Sequence, residues 1–121
     1  MRVLITGSRN WTGQRQTREM LARLMQLPVS TFIAHGGCKG ADMMADQIAR
    51  LLEYTIKAYP VSHEEWRAQG KRAGIDRNEF MLNDFKPDRI LAFHEDLKNS
   101  VGTADMIKRA TKRKIEWELI K

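Results

Sequence analysis

An α/β fold with a parallel sheet is predicted by three features of this sequence. Short apolar runs alternate with stretches of helical periodicity along the whole chain, and the last segment is again a strand pattern. The runs at residues 2–6, 31–35 and 89–93 have continuous apolar cores, as strands covered on both faces do. Residues suited to βα turns follow them: Gly7-Ser8, Gly36-Gly37 and His94. Right-handed crossovers then give a Rossmann-like doubly wound sheet of about five parallel strands in three layers, α/β/α. The 121 residues fit one domain spanning 1–121.

The elements follow in order. After the first strand, a helix is predicted within residues 14–27, with Met20, Leu21, Leu24 and Met25 on one stripe. Leu27-Pro28 closes it, because a residue before proline avoids the helical region. The second strand leads through Gly36-Gly37 to a helix at about residues 40–53, where Ala41, Met44, Ala45, Ile48, Ala49 and Leu52 repeat at helical spacing. A third strand is expected at about residues 54–60. Residues 63–84 read as a helix interrupted between 70 and 76. The fourth strand is followed by a helix at about residues 103–111. In the last strand Ile115, Trp117 and Leu119 alternate with Glu116 and Glu118, which predicts one wet face and an edge position.

Composition excludes several classes. The chain is 42% hydrophobic and 30% charged, as suits a folded core. The longest aliphatic and aromatic run, Ile90 to Phe93, is far short of a membrane span, and Val3-Leu4-Ile5 is too short for an export signal. A cytoplasmic location without membrane association is expected. One cysteine excludes an internal disulfide and a cysteine-rich zinc site. No metal site and no resident cofactor is expected. Twenty-one Lys and Arg against fifteen Asp and Glu give +6, which favours an anionic partner. The densest basic run, Lys108 to Lys114, contains no aromatic for base stacking, so a solvated helix face is favoured over nucleic-acid contact.

In a doubly wound sheet the binding crevice lies at the carboxyl ends of the strands. The segments Thr6-Gly7-Ser8-Arg9, His35 to Asp42, His94 and Ser100 to Asp105 converge there. Gly40-Ala41-Asp42 and Gly102-Thr103-Ala104-Asp105 both place glycine before a helix and aspartate in its first turn. Glycine admits an anion close to the backbone, and a helix start offers unpaired N–H groups, so the two loops together suit a phosphate or pyrophosphate. The alternative is two tight turns with ordinary helix-start carboxylates. Lys39 precedes Gly40, so the P-loop pattern fails, and Gly7 with Gly13 does not make the dinucleotide fingerprint. Arg77, beside Asn78, is a candidate fork for phosphate or carboxylate. His35 and His94 end strands and are candidates for ligand contact or proton transfer, or for capping a carbonyl. Trp11 is a candidate stacking surface for a base, or else a cover for the first helix.

These residues carry a resemblance. Gly7-Ser8-Arg9 with Trp11, His35-Gly36-Gly37 with Gly40-Ala41-Asp42, Ala73-Gly74 with Arg77-Asn78, and Gly102-Thr103-Ala104-Asp105-Met106 resemble the YspA-like proteins of the SLOG superfamily. The match runs in order from Met1 to about Thr111. It implies a Rossmann-like domain binding nucleotides or nucleotide-derived ligands, and it supports a homo-oligomer. It also implies kinship with the LOG phosphoribohydrolases and the DNA-uptake protein DprA. The chain departs from the LOG pattern, whose catalytic glutamate falls at Met106.

The leading expectation is therefore a nucleotide-ligand site. Backbone at Gly7, Gly36, Gly37, Gly102 and Thr103 would face phosphate or ribose, Ser8, Arg9 and Arg77 would anchor polar groups, and Asp42 or Asp105 would take a ribose hydroxyl. The alternatives are an N-glycosidase using Asp105, Asp42 or His94 as acid or base, a protein that sequesters a nucleotide signal, and a DNA- or RNA-binding module.

Overall fold

The computed structural model describes residues 1–121. The chain order is β1 (Arg2–Gly7), α1 (Gln14–Met25), β2 (Phe32–His35), α2 (Ala41–Leu51), β3 (Thr55–Ala58), α3 (His63–Gln69), α4 (Lys71–Phe85), β4 (Arg89–Phe93), a short 3-10 turn (Leu97–Asn99), α5 (Gly102–Lys112) and β5 (Glu116–Ile120). All five strands are parallel, in the order β3-β2-β1-β4-β5. The architecture is the expected Rossmann-like α/β domain.

The period-two geometry of the strands divides the core into two layers. Val3, Ile5, Ile33, Leu91 and Phe93 point to one face, where they meet Met20 and Leu24 of α1 and Ala41, Ala45, Ile48 and Ala49 of α2. Leu4, Ala34 and Ile90 point to the other, against Met81, Leu82 and Phe85 of α4 and Met106 and Ala110 of α5. Alanines at four positions let α2 and α5 approach the sheet closely. The chain reverses direction across the sheet between β1 and β4, so the crevice opens at their carboxyl ends.

The interruption of the 63–84 helix falls at Gly70, at the start of the expected 70–76 window. Gly70 has φ +59°, which ends α3 and starts α4, whereas Gly74 lies inside α4. Helix α3 owes its short existence to a reciprocal capping box between Ser62 and Glu65, since it buries no residue. In β5 the wet and dry faces are less distinct than the alternation predicts. Trp117 is exposed, with its ring N–H donating to Thr111 Oγ1, while Glu118 is drawn in between Arg23 and Arg89. No helix is long and apolar enough to cross a membrane.

Candidate functional site

A cleft of about 1000 Å³ opens at the carboxyl ends of β1, β2 and β4. That volume accommodates a nucleotide-sized molecule. The loops after these three strands form its floor, and α3 with the start of α4 forms a wall.

The floor is built around Asp42. This carboxylate is buried at the first turn of α2, and its Oδ2 accepts the N–H groups of Gly36 (3.1 Å) and Cys38 (3.2 Å). Burial pushes its pKa up, while the hydrogen bonds from Cys38 and Gly36 and the charge of Arg77 oppose that shift. Its Oδ1 is buried without a partner. The intervening Gly37 N–H donates to His35 Nδ1 at 3.0 Å, which makes Nε2 the proton-bearing nitrogen of the neutral ring. That nitrogen faces Asp46 Oδ2 at 2.7 Å. Asp46 also accepts from Arg50 Nε at 2.6 Å. Burial acts to raise Asp46, but the Arg50 and His35 hydrogen bonds outweigh it and hold the carboxyl below its ordinary range. His35, a candidate for ligand contact or proton transfer, is therefore placed as a buried loop-fixing residue that does not line the cleft.

The same bonds correct the expectation that Gly36 and Gly37 present N–H groups to phosphate, because both N–H groups are already used inside the protein. Thr103 is in the same position. Its N–H, with that of Ala104, donates to Ser100 Oγ at 3.1 and 3.3 Å, so Ser100 caps α5. The close approaches that the glycines permit are made by the protein itself. A Cβ on Gly36 would lie 2.5 Å from Arg77 Nη1, one on Gly40 (φ +81°) 2.3 Å from Ser8 O, and one on Gly7 2.3 Å from Phe93 O. Gly102 has open space around it.

Arg77 lies on α4 at the cleft wall. Its Nη1 donates to Gly36 O (2.5 Å) and Tyr59 O (3.1 Å), and its Nε donates to Asn78 Oδ1 (3.2 Å). Asn78 is buried, and its Nδ2 donates to Gly102 O (3.1 Å) and Asp105 Oδ2 (3.2 Å). Arg77 thus joins three segments of the site and is mostly committed to that task. Asp105 does not line the cleft. It faces the groove between α4 and α5, where Arg109 Nε donates to it at 2.9 Å. This candidate catalytic or ribose-binding residue thus has its side chain turned toward α4 and bonded there by Asn78 and Arg109. The Asp105 hydrogen bond holds the Arg109 guanidinium above its ordinary pKa. Arg109 and Arg113 both pair with Glu79, so part of the basic run of α5 is neutralised by α4.

Trp11 is also corrected. It is fully buried, packed 5.5 Å from Phe93 between ring centroids, and unable to stack on a base. The aromatic side chain in the cleft is instead Trp66 of α3, covered on its ring by the Arg9 guanidinium at 5.3 Å from the centroid. Sequence reasoning missed Trp66 because the turn at Gly70 alone brings it back over Gly74. It also missed Glu95, whose position just after β4 was the available signal. Ser8 Oγ donates to Glu95 Oε1 at 2.8 Å and accepts the Asn10 N–H at 2.9 Å. Burial acts to raise Glu95, but its own backbone N–H, the Ser8 hydroxyl and His94 outweigh it, leaving the carboxyl below its ordinary range. His94 lines the cleft with its Nδ1 accepting the Asp96 N–H at 2.9 Å.

Charges of both signs line the cleft. Arg9, Lys39 and Lys71 line it and form no ion pair, on the side of the β1 and β2 loops and α4. Glu95 and Asp96 line it after β4.

Comparison with known proteins agrees with this architecture. The chain is 38% identical over 114 residues to the gene 61 protein of Mycobacterium phage D29, covering 92% of this chain and 89% of that one. Among solved structures it is similar to the UDP-GlcNAc 2-epimerase from Neisseria meningitidis, with a TM-score of 0.54 and 19% sequence identity over 99% of this chain. The chain spans 32% of that enzyme's length, and at this identity the likeness is one of fold alone. The model of the YspA, cpYpsA-related SLOG family matches residues 1–64, and with more than half of its length so matched the chain belongs to that family.

Proposed function

We propose that the cleft binds a nucleotide or a nucleotide-derived small molecule. Its phosphates would lie on the side of Arg9, Lys39 and Lys71, and its ribose hydroxyls would lie toward Glu95 and Asp96. Three cleft-lining cations without an ion pair, together with carboxylates that line it after β4, carry this reading. Cations without an ion pair attract phosphate oxygens, and an ionised carboxylate accepts from hydroxyl groups. A depressed carboxyl such as Glu95 is a poor proton donor at neutral pH, so its chemistry favours holding a sugar over protonating a leaving base. Membership of the SLOG family and the position of the cleft in a Rossmann-like sheet support the same ligand class.

Side chains, rather than glycine backbone, then supply most of the phosphate contacts. A thermal-shift series with nucleoside mono-, di- and triphosphates tests the reading. A ligand at 100 times its dissociation constant stabilises the fold by about 2.7 kcal/mol. Stabilisation by nucleotides and none by the matching nucleosides is expected; no shift with any nucleotide overturns the proposal.

A further inference from the structure

We infer that Arg9 and Trp66 form a latch that a ligand carrying both a phosphate and an aromatic base releases, and that the uncovered Trp66 ring is the base-stacking surface of the cleft. The inference rests on the nucleotide reading above and adds where the base lies.

Trp66 contributes nothing to the two core layers, because α3 buries no residue. One edge of its indole rests on Gly74, where a Cβ would lie 3.1 Å from Cη2, and the ring carries the Arg9 guanidinium. Tryptophan is thus held at a cleft wall with a cation over its π-surface. A guanidinium binds phosphate oxygens through charge-assisted, bidentate hydrogen bonds, which are stronger than an exposed cation–π contact. A phosphate in the cleft therefore draws Arg9 away from the indole. The exposed ring then has an apolar surface without a partner, and a purine or pyrimidine supplies one by stacking. A phosphate alone recruits Arg9 and leaves the ring bare, and a nucleoside alone must compete with Arg9 for the ring. A nucleotide satisfies both groups at once, so the latch selects for it.

The test uses the full chain, calorimetry and two probe classes: ribose 5-phosphate, and the nucleoside 5′-diphosphates ADP, GDP, CDP and UDP. Trp66→Leu is expected to weaken the tightest diphosphate about tenfold and to leave ribose 5-phosphate bound at least as tightly, since a phosphate no longer has to draw Arg9 off the ring. Trp66→Phe, which keeps an aromatic face, is expected to recover most of the loss. Binding is also expected to change indole emission in the wild type and not in Trp66→Leu, since Trp11 is fully buried and Trp117 lies on β5 outside the cleft. Equal diphosphate affinity in wild type and Trp66→Leu, or equal losses for both probe classes, overturns the latch while the nucleotide reading stands. Failure of the wild type to bind ribose 5-phosphate and every diphosphate overturns both.

Discussion

Arg77 occupies the space that a side chain on Gly36 would need: Nη1 donates to Gly36 O at 2.5 Å and lies 2.5 Å from the position of a Cβ on the same residue. The cleft floor is therefore shaped by an arginine that crosses from α4 to the loop after β2. Gly36→Ala is expected to destabilise the fold by about 1–3 kcal/mol through overpacking. Arg77→Ala is expected to cost about 1–3 kcal/mol as well, because carbonyl oxygens of the loop lose their donor. The two effects are coupled. In an Arg77→Ala background, Gly36→Ala should cost markedly less, as urea unfolding of the four proteins in the cycle would reveal. Additive costs would show that the loop and the guanidinium are independent.

The two tryptophans near the site should separate cleanly. Trp11→Ala removes a fully buried core residue beside Phe93 and is expected to cost about 3–5 kcal/mol. Trp66→Ala removes a ring from a helix with no buried residue and is expected to cost about 1 kcal/mol or less. Thermal denaturation of both variants checks this. A comparable loss at the two positions would contradict the division between core and cleft.

Asp42 gives the fold a pH dependence of definite sign. Burial raises its carboxyl above the ordinary value, so the folded chain holds that proton to higher pH than the unfolded chain does. Its contribution to stability is full below the unfolded value and declines as pH rises toward the raised folded value. Asp42→Asn, which keeps an acceptor for Gly36 and Cys38, removes that decline. Unfolding free energies measured from pH 3 to 8 should show the difference between Asp42→Asn and the wild type moving in favour of the variant as pH rises. Parallel curves would contradict the assignment. Asp46 acts in the opposite sense: its depressed carboxyl stabilises the fold above the unfolded value, and that contribution is lost as pH falls through the depressed folded value.

Asp105 is assigned to the α4–α5 junction, so its removal should read out in stability rather than in binding. Asp105→Ala breaks the bonds from Arg109 and Asn78 and is expected to cost about 1.5–3 kcal/mol, the scale of a charge-assisted hydrogen bond. Nucleotide affinity measured on the folded variant should be unchanged within about twofold. Lost binding at full stability would return Asp105 to the ligand site.

The strands and the position of the crevice were legible because they depend on patterns that span many residues. The apolar runs of β1, β2 and β4, the alanine spacing of α2 and the glycines after the strands each constrain their neighbours. Roles within the crevice were less legible because side-chain direction is decided by tertiary partners. Asp42 and Asp105 sit in closely matched sequence contexts, yet one organises a loop beneath the cleft and the other pairs with Arg109 outside it. Gly36 and Gly37 looked like a phosphate cradle, but the donors of that loop are consumed by Asp42 and His35, residues two to six positions away. Trp66 carried no local signal, since its place over Gly74 depends on a single left-handed residue at position 70.

On the proposed reading, side-chain cations without ion pairs in the cleft hold the phosphate of a nucleotide ligand. Isothermal titration of the wild type, Arg9→Ala and Lys39→Ala with a nucleoside diphosphate and with its parent nucleoside tests this most directly. The wild type should bind the diphosphate at least about tenfold more tightly than the nucleoside, and each variant should lose about 1.5–3 kcal/mol for the diphosphate alone. Equal affinity for diphosphate and nucleoside, or variants that bind the diphosphate as the wild type does, would contradict it.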